Sequence, residues 1–190
     1  MAHKKIALTG SIACGKSAIV QFLRELDVPV LDADDVVHEL ESPGGAAVRP
    51  IAARFGEGVL DPSGGINRRK LAELVFAEGG ESARKDLEAI LHPLVRERLR
   101  SFDGVCAVPL LFESGWEGDF DKVVCVTSPR EVQVKRMVET RGYSLEEANS
   151  RIDAQMPQAI KSAKSDLVID NSGTIEDLRF AAIDLKRRML

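Results

Sequence analysis

Residues 8–19 read LTGSIACGKSAI, a glycine-bearing segment of the kind that binds phosphate. The apolar run Ile6–Leu8 leads into it, and the amphipathic segment Ser17–Leu26 leads out of it. Gly10 and Gly15 enclose four residues, and a lysine and a serine follow, so every fixed position of the P-loop pattern is filled. A strand before the loop and a helix after it are the context that this motif requires. The sequence therefore predicts nucleotide binding at this point.

The chemistry of phosphate binding explains these residue types. Glycine permits the backbone torsions that turn successive N–H groups inward, and the following helix adds the positive end of its dipole. Lys16 supplies a charge to the β- and γ-phosphates, and the hydroxyl of Ser17 is a ligand for Mg²⁺. The nucleotide-binding residues predicted from the loop are Gly10, Ser11, Ile12, Ala13, Cys14, Gly15, Lys16, Ser17 and Ala18, with Ser17 also at the metal.

Cys14 lies within the loop, and two interpretations of it stay open. The helix dipole and the ammonium of Lys16 favour a thiolate, which would react in the nucleotide-free protein and be shielded by bound triphosphate. Alternatively, Cys14 is a small residue in a variable loop position. Cys106 and Cys125 fall in predicted buried strands, where we expect them to react slowly.

Composition narrows the class of protein. The 190 residues suit one globular domain, with 44% apolar and 29% charged residues. A net charge of −4 gives no basic field for a nucleic-acid partner. The longest apolar run, Val105–Phe112, is far shorter than the ~20 residues of a membrane span, and the three cysteines form neither a metal motif nor a disulfide framework. We expect a cytoplasmic protein that binds neither membrane nor nucleic acid.

Five short apolar runs alternate with helical patterns. They are Ile6–Leu8, Val28–Leu31, Val105–Leu111, Val123–Val126 and Leu167–Ile169. Most are continuous rather than alternating, as in strands buried on both faces. Strand followed by helix, repeated along the chain, predicts a three-layer α/β fold: a five-stranded parallel sheet with right-handed crossovers and helices on both faces.

Three helix starts carry capping signals. Ser144 and Thr174 each stand three residues before an acidic residue, the capping-box pattern. Ser128 is the predicted N-cap of another helix, with Pro129 at its first position and Glu131 at its third.

Between Asp34 and Ser101 no strand is predicted. Helical patterns instead lie near 67–77, 83–91 and 95–102, separated by glycine-rich turns. A helical segment at this point is typical of an insertion over the C-terminal edge of the sheet, where open α/β sheets bind ligands. We predict a core of about residues 1–34 and 102–190, with an acceptor-binding helical insertion of about residues 35–101.

Other nucleotide-binding classes fit less well. A GTPase switch protein needs an Asn-Lys-x-Asp segment, which the sequence lacks, and the Asp-x-x-Gly at 61–64 is preceded only by Val59–Leu60 and is predicted to be a turn. A motor or transporter ATPase usually has a long apolar strand ending in aspartate, but Phe112–Glu113 follow the third strand here. A small-molecule kinase remains.

The second strand ends in VLDADD, residues 30–35. Residues at this strand end face the crevice beside the P-loop, where a carboxylate can accept or orient the proton of an attacking hydroxyl. Asp32 stands at the strand terminus and is the predicted catalytic carboxylate. Asp34 and Asp35 have an alternative role as N-caps of the next helix.

These motifs resemble those of the dephospho-CoA kinases over nearly the whole chain. The resemblance rests on TGSIACGKS, VLDADDVVHEL, the Asn67-Arg68 pair shortly before KLAELVF, LEAILHPLV, PLLFESG, RIDAQMP and SDLVIDNSG. It implies transfer of the γ-phosphate of ATP to the ribose 3′-hydroxyl of dephospho-CoA, the last step of CoA synthesis, with Mg²⁺ as cofactor. It also implies the three-layer fold of a P-loop kinase, with a five-stranded parallel core, a helical CoA-binding domain and a lid.

The resemblance assigns further roles. Asp32 matches the base near the 3′-hydroxyl, Asn171 falls where the family contacts the nucleotide base, and Asp34, Arg68 and His92 belong to the acceptor side. For His92 the alternative is a buried histidine at a helix start, and for Arg68 a solvated residue of a first helical turn.

The implied lid covers about residues 133–164, where mobile cations would stabilise the transferred phosphoryl group and exclude water. Many members carry an arginine four residues after the one that matches Arg136, but Thr140 stands there. We therefore assign the catalytic role to Arg141, one residue later, and nucleotide binding to Arg136. Arg151, Lys161 and Lys164 have the alternative of ordinary surface charges.

Two competing functions are a kinase for another small molecule and a nucleotide-dependent regulatory module. Asp32 and the lid arginines argue against the regulatory module.

Overall fold

A computed structural model describes residues 4–77 and 79–189. The chain divides into two compact units. The first comprises the chain up to Asp32 and from Phe102 onward, and the second comprises Ala33–Ser101. Within the described ranges, no helix is long and apolar enough to cross a membrane.

The first unit is built on a five-stranded sheet. Its strands are β1 (Ile6–Gly10), β2 (Val30–Asp32), β3 (Val105–Ala107), β4 (Lys122–Thr127) and β5 (Leu167–Asp170). Their order is β2-β3-β1-β4-β5, and every neighbouring pair is parallel, which confirms the predicted sheet. Because the strands are parallel, their C-terminal ends meet at one edge, and β1 lies at its centre.

The third strand is shorter than predicted. Only Val105–Ala107 pair with neighbouring strands, although the apolar run continues to Leu111. Val108 and Leu111 are nevertheless buried. An apolar run therefore marks burial here and not the length of the strand.

The helices follow the strands in chain order. They are α1 (Lys16–Glu25), α2 (Ala33–Glu41), α3 (Val48–Phe55), α4 (Arg68–Val75), α5 (Glu81–Arg100), α6 (Arg130–Arg141), α7 (Leu145–Asp153), α8 (Gln158–Ala163) and α9 (Ile175–Met189), with short 3₁₀ helices at Glu57–Val59 and Glu117–Asp119.

The two faces of the sheet carry different helices. Alternate strand residues such as Leu8, Val124 and Val126 point to one face, where they form a core with apolar residues of α1 and α9. On the opposite face α8 packs beside β4, where Ser162 lies against Cys125. The sheet is thus covered by helices on both faces, as predicted.

Two of the three predicted caps are confirmed. Ser144 and Glu147 form a capping box at the start of α7, and Thr174 and Asp177 exchange the same pair of hydrogen bonds before α9. The prediction for Ser128 was wrong. Helix α6 begins at Arg130 after Pro129, and the buried hydroxyl of Ser128 donates instead to the carbonyl of Asn171 at 3.2 Å.

The second unit is helical and contains α2, α3, α4 and α5. We predicted separate helices near 83–91 and 95–102, but α5 is continuous through Pro93. Proline removes one backbone hydrogen bond and usually ends or kinks a helix. Packing outweighs that cost, because α5 buries Val95 and Leu99 and contacts α2, α3 and α4. The Asp-x-x-Gly segment is a turn, as predicted, in which Oδ1 of Asp61 accepts from the N–H of Ser63 at 2.8 Å.

Candidate active site

The predicted P-loop connects the end of β1 to the start of α1, so the strand and helix that the motif requires are present. The backbone has positive φ at Gly10 (151°), Ala13 (57°) and Gly15 (100°). A Cβ on Gly10 would lie 2.4 Å from the carbonyl oxygen of Val126, and one on Gly15 would lie 2.0 Å from Nδ2 of Asn171. Both glycines are therefore required by close approach as well as by torsion.

Three consecutive carbonyl groups of the loop are held by side chains from later in the chain. Nε2 of Gln133 donates to the carbonyl of Ile12 at 2.8 Å, and a guanidinium N–H of Arg136 donates to that of Ala13 at 3.1 Å. Nδ2 of Asn171 donates to the carbonyl of Cys14 at 2.8 Å. In a trans peptide the C=O and the next N–H point in opposite directions, so these contacts also fix the directions of N–H groups in the loop.

Lys16 and Ser17 form the start of α1. Lys16 is half-buried and Ser17 is exposed. Oxygen donors such as the Ser17 hydroxyl suit Mg²⁺, which usually takes one or two protein ligands and completes its shell with water and substrate phosphates. No group of three or more His, Cys, Asp or Glu side chains able to hold a metal occurs within residues 4–77 and 79–189.

Cys14 belongs to the hydrophobic core and is 1% exposed. Burial raises the pKa of its thiol above the ordinary value of 9.0, and the opposing N–H and charge of Lys16 do not reverse that shift. The interpretation of Cys14 as a reactive thiolate was therefore wrong. The structure supports the other interpretation, a small and buried loop residue.

Asp32 lies at the C-terminal edge of the sheet. It pairs in register with Ala107 of β3, which in turn pairs with Leu8 of β1, two residues before the P-loop begins. Two strand spacings separate Asp32 from β1, or about 10 Å. Helix α2 begins at Ala33, so Asp34 and Asp35 lie in its first turn, and the interpretation of either as its N-cap was wrong. Asp32 itself occupies the position before the helix.

The two lid arginines occupy different places. Arg136 contacts the P-loop at Ala13 and lies 3.4 Å from the hydroxyl of Ser128. Arg141 is the last residue of α6 and is exposed, about 7.5 Å further along the helix axis. The structure therefore brings Arg136 to the phosphate loop and does not bring Arg141 there.

The other three basic residues that we considered for the predicted lid have structural partners. The guanidinium of Arg151 lies 4.5 Å from the ring centroid of Tyr143, and Nζ of Lys164 lies 3.1 Å from Oε1 of Glu117. Lys161 is fully buried, with its Nζ 2.8 Å from Oε1 of Glu113. A buried lysine is rare, and nothing in its local sequence indicates this position.

Asn171 follows β5 and is 5% exposed. Its N–H donates to the carbonyl of Thr127 at 2.8 Å, which extends the pairing of β4 and β5 by one residue. The side chain is thereby aimed at the loop carbonyl of Cys14. Asn171 thus contacts the back of the P-loop directly.

The predicted acceptor residues lie in the second unit. Nε of Arg68, the first residue of α4, donates to Oε2 of the buried Glu41 at 2.8 Å, so it is a first-turn residue with an ionic partner. Asp34 is exposed in α2. His92 is exposed in the middle of α5, so its interpretation as a buried helix-start histidine was wrong. It lines a pocket of about 680 Å³ together with Pro93, Arg96, Glu97, Arg100 and Ser101.

Comparison with known proteins agrees with this arrangement. The sequence model of the family described as "Dephospho-CoA kinase" matches residues 4–177. The chain belongs to the dephospho-CoA kinase family. Dephospho-CoA kinases of Geobacillus kaustophilus and Geobacter sulfurreducens are 42% and 43% identical to it, over 92% and 91% of this chain and 90% and 92% of theirs. The structure of the dephospho-CoA kinase from Campylobacter jejuni matches with a TM-score of 0.71 at 28% identity, covering 96% of this chain and 94% of that one.

The members of the dephospho-CoA kinase family phosphorylate dephospho-CoA to CoA, the last step of CoA biosynthesis. Sequence reasoning identified the P-loop of this family member and the residues that match the family motifs. It missed Gln133 and Gln155, whose side chains hold the peptide groups of Ile12. Gln155 lies in the RIDAQMP segment that carries part of the resemblance, so the sequence did mark this residue. It did not indicate that Gln155 contacts Ile12.

Proposed function

We propose that this chain transfers the γ-phosphate of ATP to the ribose 3′-hydroxyl of dephospho-CoA and releases ADP and CoA. One observation supports this proposal above the others. Asp32 lies at the same strand edge as the P-loop, on a chain of the dephospho-CoA kinase family. A carboxylate at this distance from the loop can meet an acceptor hydroxyl while the loop holds the donor phosphates.

On the donor side, the P-loop (residues 10–18) and the ammonium of Lys16 bind the triphosphate. Mg²⁺, when bound, would neutralise charge on the β- and γ-phosphate oxygens, and Ser17 would hold it. Arg136 and Asn171 contribute to nucleotide binding from the back of the loop, where their side chains donate to the carbonyls of Ala13 and Cys14. We assign contact with the transferred phosphoryl group to Arg141, the exposed last residue of α6.

On the acceptor side, Asp32 orients the 3′-hydroxyl and accepts its proton. The second unit, Ala33–Ser101, binds dephospho-CoA, with Asp34, Arg68 and His92 among its contacts. The pocket beside His92 includes two arginines, Arg96 and Arg100, which suit an acceptor that carries phosphate. We place the reaction in the cytoplasm, where ATP and dephospho-CoA are available.

The test of the reaction is an acceptor series. Purified protein with Mg·ATP is given dephospho-CoA, a nucleoside monophosphate or no acceptor, and the release of ADP and formation of CoA are followed. We expect turnover with dephospho-CoA only. ADP release at the same rate without acceptor, or a higher rate with a nucleoside monophosphate, would contradict the proposal.

The test of Asp32 is the substitution Asp32→Asn. We expect turnover to fall by roughly 10²-fold or more with the KM for ATP nearly unchanged, because the loop that binds ATP keeps its own contacts. Asp35→Asn, in the exposed first turn of α2, is the matched control and should retain activity. Activity of Asp32→Asn within about twofold of wild type would remove this carboxylate from the mechanism.

A further inference from the structure

The peptide groups of Ile12 are bound by two glutamines, one on each side of the residue. Its N–H donates to Oε1 of Gln155 at 2.7 Å, and its carbonyl accepts from Nε2 of Gln133 at 2.8 Å. Ile12 immediately precedes Ala13, the non-glycine loop residue with positive φ. The two glutamines therefore fix the first half of the loop next to its most strained residue.

The backbone next to Gln155 is held by contacts with the loop that follows β3. The N–H of the next residue, Met156, donates to Oε1 of Glu113 at 3.0 Å, and the same carboxylate pairs with Lys161 at 2.8 Å. The buried Nζ of Lys161 also donates to the carbonyl of Pro109 at 3.1 Å. The segment between α7 and α8 is thus anchored to the loop that follows β3, and Gln155 extends from this anchor to the P-loop.

We propose that Gln155 is a positioning residue for the phosphoryl donor. Its side-chain oxygen holds the N–H of Ile12 and so keeps the P-loop in its binding conformation before ATP arrives. A loop that is ordered in advance does not lose that conformational freedom on binding, so the affinity for the triphosphate is higher. The inference rests on the proposed function for its kinetic arm, because the donor is taken to be ATP.

The direct test measures amide hydrogen exchange at Ile12 by NMR in the nucleotide-free protein. Gln155→Met keeps the length of the side chain and removes its acceptor, and we expect the Ile12 amide to exchange at least about tenfold faster. Gln155→Glu keeps an acceptor and should retain protection. Gln158→Met is the matched control, because Gln158 binds the backbone of Ser128 at 3.1 Å and does not contact Ile12.

The kinetic test separates positioning from a general structural role. Loss of one neutral hydrogen bond should raise the KM for ATP about threefold to tenfold in Gln155→Met, with kcat and the KM for dephospho-CoA nearly unchanged. Thermal unfolding of each variant checks that the fold is intact. Unchanged Ile12 exchange in Gln155→Met, equal loss of protection in Gln158→Met, or a parallel rise in both KM values would overturn the proposal.

The two proposals fail in different ways. If wild-type protein does not phosphorylate dephospho-CoA, the proposed function is wrong, and calorimetric binding of Mg·ATP then replaces the KM measurement. Weaker binding by Gln155→Met together with faster Ile12 exchange would still support the positioning role. Equal binding by wild type and Gln155→Met would contradict it whatever the acceptor is.

Discussion

At the scale of single residues, two glycines of the P-loop do not tolerate a side chain, whereas its alanine at position 13 could be replaced by glycine. Gly10 and Gly15 leave no room for a Cβ, but Ala13 adopts φ 57° with its side chain accommodated. The left-handed conformation costs an alanine roughly 1 kcal/mol relative to glycine. Its carbonyl is held by Arg136, which helps to keep this conformation.

Ala13→Gly should therefore stabilise the protein. Relief of the left-handed strain outweighs the larger entropy of glycine in the unfolded chain, and we expect a gain of about 0.5 kcal/mol, or a rise in Tm of about 1–2 °C. Ala18→Gly, within α1, is the control and should lower Tm, because glycine in a helix costs about 0.5–1 kcal/mol. The measurement is calorimetric unfolding; a fall in Tm for Ala13→Gly would show that the strain is not there.

At the scale of elements, α8 is fixed by a buried charge. Lys161 is fully buried, whereas the carboxylate of Glu113 is 24% exposed and also accepts from the N–H of Met156. Taking an ammonium out of water is costly unless a counter-charge and hydrogen bonds compensate. The two members of this pair therefore differ in what their loss leaves behind.

Removing the partner of the buried charge should cost more than removing the charge itself. Glu113→Gln leaves the ammonium of Lys161 without its counter-charge, and we expect a loss of about 3 kcal/mol in the free energy of unfolding. Lys161→Met leaves a partly exposed carboxylate that keeps its bond to Met156, and we expect a loss of about 1 kcal/mol. Urea unfolding measures both values; equal losses, or the reverse order, would contradict this account.

The continuity of α5 also depends on its packing against other helices. Proline at position 93 predicts an interruption from the local sequence, and the structure shows one helix from Glu81 to Arg100. Contacts of α5 with three neighbouring helices of the same unit hold the two halves in line. Local propensity is a weak predictor where tertiary packing opposes it.

At the scale of the whole molecule, the three thiols lie in the interior of the first unit. Burial raises the pKa of Cys106 to about 12 and that of Cys125 to about 11, and it also raises the pKa of Cys14. All three cysteines are buried and free of disulfides. The folded protein therefore keeps these thiols protonated at pH values where the unfolded chain loses the protons.

Stability should fall at alkaline pH because of this difference. Well below pH 9 the thiols are protonated in the folded and the unfolded state, and their contribution to the free energy of unfolding is fully present. As the pH rises from 9 towards 11 and 12, the thiols of the unfolded chain ionise first, so the free energy of unfolding declines. For one thiol the decline approaches about 1.4 kcal/mol per pH unit. In Cys106→Ala the free energy of unfolding should therefore fall less steeply with pH than in wild type, with a slope smaller by about 1.4 kcal/mol per pH unit. Urea unfolding at pH 7, 9, 10 and 11 measures it, and parallel profiles would refute the prediction.

Local patterns in the sequence were sufficient for the five strands and for the phosphate loop, but not for the length of β3 or the continuity of α5. Fixed spacing in the glycine-bearing segment predicted the P-loop, and five short apolar runs, most of them continuous, predicted five strands. The capping boxes at Ser144 and Thr174 were predicted correctly for the same reason. Each of these features is encoded within a few neighbouring residues, where backbone torsion, burial and capping act directly.

Only the tertiary structure decided the strand order, the burial of Cys14 and the contacts that hold the loop. Gln155 stands 143 residues after its partner Ile12, and Asn171 stands 157 residues after Cys14. Lys161 is buried because α8 packs beside β4 and not because of its neighbours in the sequence. Contacts of this kind form only when distant segments meet, and a glutamine or lysine has the same local preferences whether it faces solvent or a loop carbonyl.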